Sequence, residues 1–182
     1  MTIQTHELSG LLMLKIKILK KNHDRAEFDC GTDELNKYLQ RTARQHLDKG
    51  ISRTFVLIDD HSPTKILGYY TLAACEIHVE KFPRKYSKKY PSKVPAAKLA
   101  RLAVSKNQHR QGLGTIMVVN AIERILLVSK NLGIIGFFVD AKNKEARGYY
   151  EPFGFISLPD NPLELFLPIA TLRQAYGPLE QK

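Results

Sequence analysis

The chain of 182 residues is 43% hydrophobic and 25% charged, and its 28 Lys plus Arg outnumber its 18 Asp plus Glu for a net charge of +10. That balance belongs to an ordinary globular protein and excludes a disordered chain, a collagen and a coiled coil. The length favours one domain over residues 1–182, large enough to fold without disulfides or metals.

Leu11 to Leu14 is the longest apolar run near the start, and Lys15 and Lys17 break it at once. It is too short for a signal-peptide core or a membrane span, so a cytoplasmic protein with no membrane partner is expected. Residues 1–13 are expected to be disordered or to precede a true start at Met13. Leu14 to Leu19 alternates and predicts a strand. Thr32 offers an N-cap hydroxyl, and Asp33 and Glu34 complement the dipole of a helix whose apolar stripe runs from Leu35 to Leu47. Gly50 stops it after Lys49. Phe55–Ile58 and Ile66 to about Val79 predict a hairpin. Pro83, Pro91 and Pro95 exclude long regular structure from the next segment. Lys98–Val104 predicts a strand, and His109-Arg-Gln-Gly-Leu-Gly114 then opens a helix that reaches Leu132, with Gly133 as its cap. A strand at Ile134–Val139, a brief helix at Asn143–Tyr150, strands near Phe155 and at Leu163–Leu167, and a helix at Ile169–Tyr176 complete the chain. The fold class this predicts is α/β, one mixed sheet with helices on both faces.

Cys30 and Cys75 stand alone, without CxxC spacing, and the six histidines form no ligand cluster. Free thiols and no metal site are expected. From Lys81 to Ile122 there is no carboxylate, yet ten cations occur, among them Lys85, Lys88, Lys89 and Lys93, so the whole charge excess lies in this stretch. Phe82, Tyr86 and Tyr90 are interleaved in its first half. Two readings stay open: a surface for RNA, using phosphate contact and base stacking, or a solvated loop.

The strand–turn–helix around Gly112 carries the sharpest chemistry. A helix N-terminus presents unpaired N–H groups and partial positive charge to an anion. Gly112 and Gly114 leave room for a phosphate, and Arg110 adds a cation. No Gly-Lys-Ser/Thr follows, which excludes a P-loop, and the third glycine and distant acid of a dinucleotide fold are missing.

A strand ending Leu102-Ala103-Val104, a polar turn, His109-Arg-Gln-Gly112-Leu-Gly114 and a long amphipathic helix resemble the acetyl-CoA-binding core of the GNAT acetyltransferase superfamily. His109 stands where the family pattern has Arg or Gln. Asn143-Lys-Glu-Ala146-Arg-Gly-Tyr-Tyr150-Glu-Pro-Phe-Gly154-Phe155 is similar to a second GNAT segment. His23-Asp24-Arg25, Phe28-Asp-Cys-Gly31, Leu35-Asn36-x-Tyr38-Leu39 and Gly50-Ile-Ser-Arg-Thr-Phe-Val56 resemble one branch, the bacterial toxins that acetylate charged tRNA and pair with a ribbon-helix-helix antitoxin.

The resemblance implies a single GNAT-like domain with a mostly antiparallel mixed sheet, acetyl-CoA as donor, aminoacyl-tRNA as substrate, an antitoxin partner and a homodimer. It implies cofactor contacts at Leu102, Ala103, Val104, His109, Arg110, Gln111, Gly112, Leu113, Gly114, Thr115, Asn143, Ala146 and Tyr150. Val104 is the expected oxyanion donor, Tyr150 the expected acid for the departing sulfur, and Lys85, Lys88, Lys89 and Lys93 the expected RNA contacts. Tyr149 is expected to turn away into the core. No acid lies on Lys98–Val104, and Glu76 is the nearest candidate base, with a structural role the favoured one. A missing base favours an α-amine, which titrates at about 7.7 to 8.0, over a lysine at about 10.4. A GNAT enzyme for a small amine or a protein N-terminus, and a binding module without turnover, stay open as alternatives.

Overall fold

The computed structural model describes residues 13–176; the expectation for the segment ahead of Met13 lies outside the described residues. Seven strands form one sheet: β1 Leu14–Ile18, β2 Arg53–Asp59, β3 Ser62–His78, β4 Lys93–Val104, β5 Gly136–Asp140, β6 Ile156–Ser157 and β7 Glu164–Pro168. Their order is β1-β2-β3-β4-β5-β7-β6. All neighbours run antiparallel except β4 and β5. The helices are α1 Asp33–Lys37, α2 Ala43–Asp48, α3 Arg84–Ser87, α4 Leu113–Val128, α5 Lys144–Tyr150 and α6 Ile169–Tyr176. Helix α4 makes the crossover that a parallel pair requires.

Side chains alternate along each strand, so Tyr69 and Tyr70, both fully buried, serve opposite faces. Tyr70 joins Leu99, Phe137 and the α4 residues Met117, Ala121 and Ile122. Tyr69 joins Val56, Ile58, Leu39 and Ala43 on the other face, beneath α1 and α2. The expected mixed sheet with helices on both faces is what forms.

Several boundaries differ from the expectation. Thr32 sits in extended backbone at the N-cap, but its hydroxyl makes no cap bond. The helix that follows is interrupted by a π-helical turn, Tyr38–Thr42, before α2. Strand β4 begins at Lys93 and contains Pro95. The Pro95 carbonyl accepts from the Ile135 N–H at 3.0 Å. Since N–H and C=O of one strand residue share a side, the missing donor of Pro95 falls beyond the β5 ladder, which starts at Ala97. Helix α4 stops at Val128, short of the expected end at Leu132, and Leu132 is exposed.

A third cluster lies under the basic segment. Phe82 is buried against Phe138 and Phe166, Tyr86 meets Phe166 edge-on at 5.9 Å, and Tyr90 packs beside them. These aromatics anchor the segment to the sheet; Phe82 is buried there, while Tyr86 and Tyr90 remain partly exposed.

Candidate active site

Strand β4 pairs with β5 only over Ala97–Leu99, although it continues to Val104. On its other side the β3 register skips from Thr71↔Arg101 to Leu72↔Leu99, leaving Ala100 as a bulge residue. A bulge shifts which backbone groups face each neighbour. Beyond it, the Ser105 N–H donates to the Leu67 carbonyl at 2.8 Å. Alternation therefore turns the N–H and C=O of Leu102 and Val104 away from β3, into the gap where β5 has diverged. His109 Nε2 lies 2.9 Å from the Val104 carbonyl. A carbonyl only accepts, so Nε2 carries the proton and donates. The Val104 N–H remains directed into the gap.

The chain then passes through a 3₁₀ turn, Lys106–Gln108, into a loop with two left-handed residues, Arg110 at φ 61° and Gly112 at φ 77°. Such local inversions gather N–H groups on one side and make an anion nest, here at the N-terminus of α4. A cleft of about 570 Å³ opens at this point. Leu102, Ala103, Val104, His109, Arg110, Gly112, Leu113, Gly114 and Thr115 line it as expected, together with Gln108, Glu145 and Tyr149, which were not expected. Gln111, Asn143, Ala146 and Tyr150 lie outside its lining.

The two glycines have different surroundings in the protein. A Cβ on Gly112 would meet nothing within 4 Å, so its positive φ is the reason for glycine there. A Cβ on Gly114 would stand 2.7 Å from the Tyr149 hydroxyl. Gly114 makes room for a tyrosine from α5.

Tyr149 is therefore a cleft residue, not the core residue expected, and is 37% exposed. Burial raises its pKa, and a hydrogen bond with Thr115 opposes the shift. Adjacent residues on a helix point apart by about 100°, which sends Tyr150 inward. Tyr150 is 8% exposed and meets Phe155 and Tyr149 edge-on, in the cluster on which Leu102 and Val104 also pack. Desolvation pushes its pKa well above the usual phenol range, so it keeps its proton at any working pH. Asn143 caps α5, its Oδ1 accepting from the Ala146 N–H at 2.8 Å.

The basic stretch is distributed rather than gathered. Lys81 pairs with Glu164, Lys93 with Glu76 at 3.1 Å, Lys98 with Asp140 and Lys106 with Asp29. The Arg101 guanidinium lies 4.9 Å over the Tyr38 ring. Arg84, Lys85, Lys88 and Lys89, on and just after α3, are exposed without a carboxylate partner among the described residues. Glu76 pairs in register with Pro95, roughly 30 Å along β4 from Val104 at about 3.3 Å per residue. It is an ion-pair residue and cannot serve as a base in the gap. Among the described residues no group of three or more His, Cys, Asp or Glu could hold a metal.

A bulged β4 splayed from β5, an anion nest before α4 and an aromatic pair on α5 together form an acyl-CoA-binding geometry. The acetyltransferase (GNAT) family model matches residues 19–155. The chain belongs to this family. It is 31% identical over 154 residues to a tRNA-acetylating toxin of Mycobacterium tuberculosis, covering 85% of this chain and 91% of the relative. The structure of AtaT complexed with acetyl-methionyl-tRNAfMet superimposes with a TM-score of 0.81 at 34% identity, over 90% of this chain and 99% of that one. A tyrosine-to-phenylalanine variant of AtaT, bound to the C-terminus of the antitoxin AtaR and to acetyl-CoA, gives a TM-score of 0.77 at 29% identity, over 91% and 99%. The GNAT assignment makes this chain an acetyltransferase that uses acetyl-CoA.

Proposed function

We propose that the chain transfers acetyl to the α-amine of an aminoacyl-tRNA and acts as a translation-blocking toxin. The observation that carries the reading is the end of β4 beyond its β5 pairing, where the Val104 N–H turns away from β3 beside an anion nest, in a chain whose relatives include a tRNA-acetylating toxin.

The nest of loop 109–112 and the α4 N-terminus would hold the diphosphate, with Arg110 adding charge. Asn143 keeps its amide N–H groups for the pantetheine arm while its oxygen caps α5. Acetyl-CoA supplies a thioester open to a neutral amine. Val104 directs its N–H at the oxygen on which negative charge develops, the arrangement of an oxyanion hole. Tyr150 holds the proton for the departing sulfur, and its dry surroundings keep that proton in place until then. No carboxylate stands on β4, and the one carboxylate lining the cleft, Glu145, belongs to α5, an arrangement that favours an amine neutral by its own pKa. An α-amine made more acidic by its ester meets this condition at neutral pH, while a lysine does not. Exposed Arg84, Lys85, Lys88 and Lys89 offer the tRNA backbone a cationic face. The same reading places the protein in the cytoplasm, as a homodimer held inactive by a ribbon-helix-helix antitoxin. The AtaT complex with its antitoxin supports that pairing.

Incubation with a full set of aminoacyl-tRNAs and labelled acetyl-CoA should yield an N-acetyl-aminoacyl-tRNA. Acetylation confined to small amines or peptide N-termini would overturn the tRNA reading and leave the acetyltransferase standing.

A further inference from the structure

The turn leading into the diphosphate loop is tied to the α1 side of the molecule through one acid. Lys106 donates its backbone N–H to the Asp29 carbonyl at 2.9 Å, and its Nζ lies 2.6 Å from Asp29 Oδ2. Asp29 Oδ1 accepts from the Gly31 N–H at 2.8 Å and from Asn36 Nδ2 at 2.9 Å. Asn36 Oδ1 in turn accepts from the Cys30 N–H at 3.0 Å and its thiol at 3.1 Å. These residues belong to the segments Phe28–Gly31 and Leu35–Leu39, to which the cofactor chemistry assigns no task.

We propose that Lys106 is a strut and not a phosphate ligand: Asp29 holds it so that the loop His109–Gly112 is set for the diphosphate before the donor arrives. A lysine four residues from Arg110 would otherwise be read as a phosphate contact, yet it does not line the cleft. Arg110 occupies a backbone region sparsely populated by non-glycine residues, and that conformation must be imposed by its surroundings. The other anchors arise in β3, β4 or the turn itself: Ser105 N–H to Leu67, Gln108 N–H to Ser105, and His109 to Val104. Asp29 supplies the anchor from the α1 side. The Lys106 ammonium, with the Gly31 and Asn36 donors, keeps the Asp29 carboxyl far below its ordinary range, so the strut is intact across working pH.

The inference rests on the assignment of the cleft to acetyl-CoA. Calorimetry with CoA, and steady-state kinetics, would compare the wild type with Asp29→Asn, Lys106→Met and the double variant. Each single change should raise the Kd for CoA and the KM for acetyl-CoA roughly two- to fivefold, with kcat within about twofold. The double variant should be no worse than either single, because one strut is lost once. Lys106→Arg, which keeps the ion pair, should bind as the wild type does. A phosphate ligand predicts the opposite sign at Asp29: Asn would free the ammonium, and CoA would bind as tightly or tighter while Lys106→Met weakens it. That result overturns the proposal, as does unchanged Kd in both singles with only a lower melting temperature. Wild-type CoA binding untouched by Gly112→Val would instead remove the cleft assignment itself.

Discussion

The diphosphate turn and the basic stretch overlap in sequence, but the fold treats them in opposite ways. The turn needs a few consecutive residues in set backbone conformations, and chain connectivity alone brings Arg110, Gly112 and the α4 N-terminus together. The basic stretch looked equally concentrated, with ten cations and no acid. In the folded chain Lys93 and Lys98 on β4, and Lys81 and Lys106 in the turns beside the sheet, meet Glu76, Asp140, Glu164 and Asp29 from other segments. Chemistry built on backbone conformation survives folding as written. Charge contiguity does not, because sheet pairing chooses each cation's neighbours.

The largest expected effect lies on the turn side and separates the two tyrosines. Tyr150→Phe keeps the buried ring but removes the proton held for the leaving sulfur. Positioned acid catalysis is worth about 10²- to 10⁴-fold, or roughly 3 to 5.5 kcal/mol of barrier. Turnover should fall in that range with acetyl-CoA affinity nearly unchanged, the pattern of an interaction made in the transition state. Tyr149→Phe, which lines the cleft, should leave kcat within about threefold. If Tyr149→Phe shows the large loss and Tyr150→Phe does not, the roles are exchanged.

Two smaller effects sharpen the contrast between turn and stretch. Gly112→Val forces a β-branched residue to φ 77°, a strain of about 1 to 2 kcal/mol, so CoA should bind roughly 5- to 30-fold more weakly while RNA binding holds. Changing Lys85, Lys88 and Lys89 together to Ala should do the reverse. RNA affinity should fall about five- to tenfold and its salt slope by about 2 to 3, with CoA affinity unmoved. Filter binding over a salt series reads this directly. A triple variant with the wild-type slope would make α3 and its flank a solvated surface.

Much of this was legible from residue order. The sheet and its crossover helix follow from alternation and periodicity, and Arg110, Gly112 and Gly114 from the turn into a helix; the other cleft residues come with the resemblance to the GNAT core. What was not legible depends on neighbours distant in sequence. Tyr149 and Tyr150 are chemically alike, and only the docking of α5 against Gly114 decides which one faces the cleft. Phe82 reads as a stacking platform in the sequence, but Phe138 and Phe166 bury it, while Tyr86 and Tyr90 stay partly exposed. The π turn and the bulge at Ala100 are set by how the helix and strand pack against their neighbours, which residue order alone does not show.

The smallest expected effect tests the dispersal of charge itself. Lys93 was expected among the RNA contacts, but it lies across the β3–β4 ladder from Glu76, with both side chains about half exposed. Removing Lys93 alone is ambiguous, because it also leaves a bare carboxylate to repel phosphate. Removing the pair, Lys93→Ala with Glu76→Ala, leaves the net charge unchanged and asks only whether Lys93 touches RNA. An exposed pair contributes at most about 1 kcal/mol to stability, so the double variant should fold normally. Its RNA affinity should stay within about twofold of wild type, with the same salt slope, since no phosphate contact is lost. Glu76→Gln alone should bind RNA slightly more tightly by releasing the ammonium. A double variant that loses affinity as the α3 triple does would return Lys93 to the RNA face, and would show that the ion pair opens when RNA binds.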